Sequence, residues 1–276
     1  LVDLPQQAFQ HKLCVVGQDF LRGRHFYGGR AAQRSDQKCQ RIGEDMADGQ
    51  RLGFQQFGEL GANLFLTGRR NERLNEIKKL LTDKHTDISV HTYCFDITNR
   101  SACVEFVNSL QNDVDILINN AGLALGTDAV YELSDEDTDQ MFDVNVKGLL
   151  TLTRLISPRM KARNQGHIIN IGSTAGHEAY AGGAVYCATK HAVKAISEST
   201  KKDLHGTNIR VSIVSPGMVE TEFSNVRFKG DDQKAASVYK GFTPLTANDI
   251  AEIIVFVANR PEHVNIMDSI IYPVSQ

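Results

Sequence analysis

Short apolar runs alternate with amphipathic stretches along most of this chain, and the alternation predicts strands followed by helices. ANLFLT (62–67) is a compact apolar run stopped by Gly68, and NERLNEIKKLLTD after it sets Leu74, Ile77, Leu80 and Leu81 at helical spacing. ISVHTYCFDIT (88–98) is rich in β-branched and aromatic residues, and SACVEFVNSL reads as a helix with Ser101 as its N-cap. VDILINNAG (114–122) is a buried-type strand that runs into an Asn/Gly turn. A long helical pattern begins near Asp135 and passes through MFDVNVKGLLTLTRLISPRM. HIINIGS (167–173) is the next strand, and residues 183–205 form another long helix. RVSIVSPG (210–217) is a strand with a Pro-Gly stop, TANDIAEIIVFVANR is a helix capped by Thr246 or Asn248, and SIIYPV closes the series.

Near-continuous apolar strands separated by helices imply a parallel sheet covered on both faces. With no internal repeat and no linker, the expected architecture is a single doubly wound α/β domain, Rossmann-like, over residues 59–276. Residues 1–58 form an atypical N-terminal segment, rich in Gln and Arg and without strand or helical period. Such sheets bind ligands beyond the carboxyl ends of their strands. The informative residues are therefore Arg69 and Arg70, Asp96, the Asn-Asn-Ala-Gly turn 119–122, Ser173, and Pro216 with Gly217.

Composition narrows the partners more than the fold. An apolar fraction of 41% and a charged fraction of 23% are those of an ordinary globular protein. A net charge of −3 gives no reason to expect nucleic acid or an anionic membrane as partner. No apolar run approaches membrane-span length, and LVDLPQQAFQHKL lacks the basic flank and apolar stretch of a secretion signal. Five widely spaced cysteines without a C-x-x-C pair favour reduced thiols in the cytoplasm over disulfides or a metal site.

The chemistry sits at the strand ends. Tyr186 and Lys190 in YCATK stand four apart on a helix and share a face, so an ammonium near the phenol is expected to favour phenolate. Ser173 is placed to hydrogen-bond a substrate carbonyl oxygen beside that phenol, and Asn145 to anchor a water chain returning protons to the lysine. Together these four fit reversible hydride transfer, in which a ketone or alcohol oxygen gains or loses a proton. Each alone is ordinary: a solvated helix face, a backbone-bonded serine, a turn needing positive φ. Arg69 and Arg70 follow the second strand, where arginine accommodates a ribose 2′-phosphate and a carboxylate would take a 2′-hydroxyl; this favours NADP(H). Arg227 and Lys229 either meet a small substrate carboxylate or belong to a solvated loop.

With these residues in place, the chain from 61 to 276 resembles the short-chain dehydrogenase/reductase family. LINNAG, the Asn of FDVNVKG, the Ser of NIGSTAG, YCATK and VSPGMVETEF occur in the family's order over almost four-fifths of the chain. The resemblance implies that Asn145, Ser173, Tyr186 and Lys190 form a catalytic tetrad. In it Tyr186 is the proton donor or acceptor, Lys190 also holds the nicotinamide ribose, and Ser173 orients the substrate. It further implies cofactor contacts at Asp96, Ile97, Asn120, Ala121, Gly122, Pro216, Gly217 and Val219. Within the family, GSTAGHEAYAGGAVYCATK, GMVETEFSNVRFKGD and SIIYPVSQ resemble NADP-dependent dehydrogenases of short 3-hydroxy acids and β-hydroxy amino acids, with Arg227 as substrate contact. The family's dimers and tetramers, built on its two long helices, imply a homodimer or homotetramer here. A silent binding protein and a reductase of another carbonyl compound are the alternatives.

The family's opening Thr-Gly-x-x-x-Gly-x-Gly turn is not matched before Gly61. Gly43, Gly49 and Gly53 have the wrong spacing, and Gly28-Gly29 follows no convincing strand. Two readings stay open: a native, disordered extension that has lost cofactor binding, or a segment read out of frame. For the second, Asp48–Gly53 (DGQRLG) can be encoded so that a one-base shift spells Thr-Gly-Ser-Ala-Ser-Gly. A single shift leaves the spacing short by about five residues against the family pattern. The coding DNA separates the two: shifted codons that give no Thr-Gly-x-x-x-Gly eliminate the frame reading.

Overall fold

The computed structural model describes residues 12–16 and 56–276; the glycine positions between 17 and 55 lie outside the described residues. Seven strands form one wholly parallel sheet in the order β3-β2-β1-β4-β5-β6-β7. They are β1 (Lys12–Val16), β2 (Asn63–Gly68), β3 (Val90–Cys94), β4 (Ile116–Asn119), β5 (Gly166–Ile171), β6 (Ile209–Pro216) and β7 (Asp268–Ile271). The order reverses between β1 and β4, which makes the fold doubly wound.

β1 is the departure from the sequence reading, which finds no strand period before residue 58. It lies between β2 and β4, with Val16 level with Thr67 on one side and Asn119 on the other. A five-residue strand flanked on both sides by parallel neighbours needs no polar alternation, so its sequence carries little signal.

The helices are α1 (of which residues 56–59 are described), α2 (Asn71–Lys84), α3 (Arg100–Ser109), α4 (Asp135–Phe142), α5 (Leu149–Arg163), α6 (Ala184–Asp203), α7 (Glu222–Arg227), α8 (Asp232–Ser237) and α9 (Ala247–Ala258). Alternate strand residues feed two cores. Phe65, Leu117 and Ile168 pack with Phe106, Leu152, Ile156 and Met160 on one face. Leu64, Leu66, Ile118 and Ile169 pack with Leu74, Leu81, Ile250 and Val257 on the other. This two-residue period is what parallel strands buried on both faces require.

Local details refine the expected boundaries. Asn99, not Ser101, caps α3: its side chain accepts from the Ala102 N–H, and Ser101 donates to Asn99 instead. The strand expected over 88–98 is paired only over Val90–Cys94, which leaves Asp96 and Ile97 in the loop beyond it. The long helix from Asp135 is interrupted by a π segment, Asp143–Gly148, between α4 and α5. No helix among the described residues is long and apolar enough to cross a membrane.

Thr246 caps α9 through a capping box in which its hydroxyl and N–H both bond Asp249, whose own N–H returns to Thr246. Thr246→Ala is expected to cost about 1 kcal/mol in urea denaturation, with the denaturant slope unchanged.

Candidate active site

The carboxyl ends of β4, β5 and β6 converge on the N-terminal half of α6. Tyr186, Thr189 and Lys190 lie on one face of that helix, and β5 delivers Ser173 beside them. Lys190 is buried, and its Nζ donates to the Ile171 carbonyl at 2.9 Å. That carbonyl is the last of β5, two residues before Ser173. Ser173 caps a short 3-10 turn (Thr174–Gly176), accepting from the Ala175 N–H, and its hydroxyl stands close enough to the Tyr186 phenol to favour its ionisation. Tyr186 is partly buried against the core, its ring 5.9 Å from the Lys190 ammonium and 5.6 Å from the Phe223 ring.

Asn145 lies within the π segment and is 1% exposed. Its side chain pairs with the main chain of Leu123, accepting from the N–H and donating to the C=O, each at 2.7 Å. Its Nδ2 also donates to Thr189 Oγ1 at 3.0 Å, and Thr189 donates in turn to the Tyr186 carbonyl. A π turn carries one extra residue, which turns Asn145 inward at a position frequently used for function.

The expected lowering of the Tyr186 pKa by Lys190 is not what the environment produces. Burial pushes the phenol well above 10, and the Ser173 hydroxyl and Arg227 charge only partly offset this. The Lys190 ammonium bonds the Ile171 carbonyl and not the phenol, and burial pulls its own pKa down to about 8. Desolvation outweighs pairing at both groups.

Gly122, at the end of the turn after β4, sits against both partners. A Cβ there would lie 3.3 Å from Lys190 Nζ and 3.5 Å from Asn145 Oδ1. Asn120 is half-buried beside it and Ala121 is buried. After β6, Gly217 N–H donates to the Ile271 carbonyl, and Gly217 has no room for a Cβ against the Gln276 amide, which also accepts from the Met218 N–H. Pro216 ends β6, and the Val219 carbonyl accepts from Tyr239.

At the far end of the sheet, Arg69, Asp96, Thr98, Glu136, Asp139, Gln140, Asp143 and Val144 line a cleft. Arg69 pairs with Asp96 at 3.6 Å, and Asp96 accepts from Thr98 N–H and hydroxyl at 2.8 Å each. Ile97 does not join them; its side chain is buried beside Gly148, and its carbonyl accepts from the Cys103 thiol. Arg70 turns instead to Glu222, 3.0 Å away, which also meets Arg73.

Arg227 joins the Tyr186 group. Its guanidinium lies 5.5 Å from the Tyr180 ring and 5.9 Å from the Tyr186 ring, and its Nε donates to the Gly126 carbonyl at 3.0 Å. Gly126 N–H returns a bond to the Arg227 carbonyl. Lys229, the other candidate for a substrate carboxylate, is directed elsewhere: it pairs with Asp137 at 2.6 Å. Tyr180, Thr189 and Glu222 are neighbours that sequence reasoning did not single out. Tyr180 and Glu222 carry no spacing signal, because each is brought in from a separate segment, whereas Thr189 lies three residues from Tyr186 on the same face of α6.

A wholly parallel doubly wound sheet with a Ser, Tyr, Lys and Asn group at its carboxyl edge defines a dehydrogenase of the short-chain class. A model of that family, short chain dehydrogenase, matches residues 46–232, and the chain belongs to it. It is 49% identical over 224 residues to the NADP-dependent 3-hydroxy acid dehydrogenase YdfG of Salmonella typhi, covering 80% of this chain and 88% of that one. It is 44% identical over 216 residues to the NADP-dependent 3-hydroxy acid dehydrogenase of Schizosaccharomyces pombe, covering 77% and 83%. Among solved structures, the closed form of a serine dehydrogenase complexed with NADP+ superposes with a TM-score of 0.79 at 41% identity, covering 96% of each chain.

The lowered pKa of Lys190 makes a prediction that can be checked without substrate. Between about 8 and 10.5 the unfolded chain holds this proton and the folded protein does not, so stability rises with pH through that window. Lys190→Met lacks this rise. Denaturation measured from pH 7 to pH 10.5 should move the stability difference in the wild type's favour, by on the order of 3 kcal/mol.

Proposed function

We propose that this protein is an NADP-dependent oxidoreductase that interconverts a short 3-hydroxy acid or β-hydroxy amino acid and its carbonyl form. The observation that carries the reading is the Arg227 guanidinium 5.9 Å from the Tyr186 ring, whose phenol Ser173 and Arg227 both act to ionise. A proton-transfer group thus stands beside a fixed cation, which suits a hydroxyl and a carboxylate on one small molecule. The names of the 3-hydroxy acid and serine dehydrogenases that this chain is similar to support the same substrate class and cofactor.

The residues present fit a dinucleotide. The bare main chain of Gly122 borders Lys190 and Asn145, and Arg69 and Arg70 stand beyond β2 where a 2′-phosphate would be met. Asp96 and the main chain of Ile97 and Asn120–Gly122 would flank the adenosine, and Pro216, Gly217 and Val219 the nicotinamide end. When bound, NADP(H) accepts or supplies the hydride.

In the reducing direction Tyr186 donates its phenolic proton to the carbonyl oxygen, which Ser173 also holds. The raised pKa keeps that proton in place until the oxygen develops charge. In the oxidising direction the alcohol proton passes to the phenolate, which Ser173 and Arg227 help to form. Lys190, with a pKa of about 8, exchanges protons near neutral pH behind the phenol. Asn145 holds the turn after β4 against it.

A homodimer or homotetramer through α5 and α6 belongs to the same reading, supported by Leu150, exposed on α5. A cytoplasmic setting is supported by Cys94, Cys103 and Cys187, all free thiols. The second reading, a silent binding protein, draws on the unmatched glycine turn in the first sixty residues. NADPH fluorescence on titration separates the two: a saturating signal supports the enzyme, and none supports the silent relative.

The decisive experiment is a panel of hydroxy acids and neutral alcohols read at the NADPH absorbance. Short 3-hydroxy acids should turn over fastest. Tyr186→Phe should lower kcat by roughly 10²–10⁴-fold while NADPH still binds. Arg227→Ala should raise KM for the acids steeply and leave neutral alcohols unaffected; an unchanged KM for the acids would discard the carboxylate role.

A further inference from the structure

Helix α7 is six residues long, and its two ends reach different parts of the site. At one end Glu222 lies between Arg70 of the β2–α2 connection and Arg73 in the first turn of α2, with Oε2 at 3.0 Å from Arg70 and Oε1 at 3.4 Å from Arg73. At the other end Arg227 lies over Tyr180 and Tyr186 and is bonded to Gly126. Between them Phe223 packs on Tyr186, and Ser224 bonds the Tyr239 hydroxyl, which also donates to the Val219 carbonyl. Just past the helix, Lys229 ties the segment to the buried Asp137 of α4.

The sequence places no carboxylate directly after β2, and the fold supplies one from about 150 residues away. Glu222 therefore occupies a guanidinium that a ribose 2′-phosphate would also use. A phosphate carries more charge than a carboxylate and matches the arginine fork at least as well.

We infer that Glu222 is a specificity-determining residue, competing from the substrate strap for the arginine that recognises the 2′-phosphate and so linking cofactor choice to the position of Arg227. The inference rests on the NADP-dependent reading of the preceding subsection. A 2′-phosphate at Arg70 releases one ionic anchor of α7, whereas NAD+, which has a hydroxyl there, leaves it in place. The carboxylate thus restrains NADP+ affinity in exchange for holding the strap.

The test compares NADP+ and NAD+ binding to the full-length wild type and to Glu222→Gln by calorimetry, with hydroxy-acid KM measured alongside. Gln keeps the size and polarity of the partly buried side chain. Glu222→Gln should tighten NADP+ binding by about two- to five-fold, the range that an ion pair of this exposure supports, with NAD+ little changed. The hydroxy-acid KM should rise, since Arg227 loses part of its support. A purely structural role would shift both nucleotides together, so an unchanged or reduced preference for NADP+ overturns the inference. Glu222→Asp, which keeps the charge, should stay nearer the wild-type ratio; a ratio equal to that of Glu222→Gln also counts against it. A wild type that favours NAD+ defeats the cofactor reading itself, and this inference with it.

Discussion

The pairing of the Asn145 amide with both main-chain polar groups of Leu123 is the constraint on which the rest of the site depends. Leu123 is fully buried, so its N–H and C=O must be satisfied inside the protein, and Asn145 satisfies both at 2.7 Å. The same amide holds Thr189 on α6, one residue from Lys190 and three from Tyr186. One side chain thereby fixes the exit of β4 relative to the helix that carries the acid/base pair. The close approach of Gly122 to Lys190 follows from it, because Gly122 is the residue just before Leu123. An apolar residue at 145 would leave two buried backbone groups without partners, a larger penalty than the loss of one exposed hydrogen bond.

Burial governs the electrostatics that this geometry produces. A tyrosine and a lysine one turn apart suggest mutual pKa lowering, yet the ammonium is spent on the Ile171 carbonyl and the phenol is raised. The two shifts point toward each other's neutral form: a phenol that keeps its proton and an amine that readily gives one up. Such a pair is poised for proton exchange without holding a permanent internal charge separation, which would be costly in a desolvated site. What draws the phenol down must then come from groups that meet it directly, and Ser173 and Arg227 are the ones in place.

Much of this was legible in the sequence because parallel strands announce their carboxyl ends. β2, β4, β5 and β6 are largely apolar, and Arg69, Asn120, Ser173 and Gly217 fall within two residues of their ends; Asp96 follows the more mixed β3. Tyr186 and Lys190 were legible because four residues along a helix is a fixed geometry. The strand β1 was not, since KLCVV is short and paired on both sides. Neither was the π segment, which the helical period of residues 135–160 conceals. Asn99 took the cap expected of Ser101 because it stands one residue before the first helical turn, where an N-cap belongs. Glu222 and Asp137 escaped for a different reason: their partners, Arg70 and Lys229, lie 152 and 92 residues away, and no local pattern encodes such pairs.

Those long-range pairs divide the site into parts of unequal rigidity. The floor, formed by strand ends, Asn145, Thr189 and Lys190, is buried, with Asn145, Thr189 and Lys190 each hydrogen-bonded, and it belongs to the cooperative core. The roof, α7, is too short to be stable as an isolated helix. It is held by a partly buried carboxylate on two arginines, a lysine on Asp137, and the reciprocal bonds between Arg227 and Gly126. Partly solvated ion pairs are individually weak and are screened by salt. A segment fastened this way sits at the low-stability end of the molecule, where ligand-binding elements are drawn from. The proton-transfer geometry is therefore set by the floor, and the choice of what is brought to it is left to the roof, whose anchors are charges that a charged ligand can exchange.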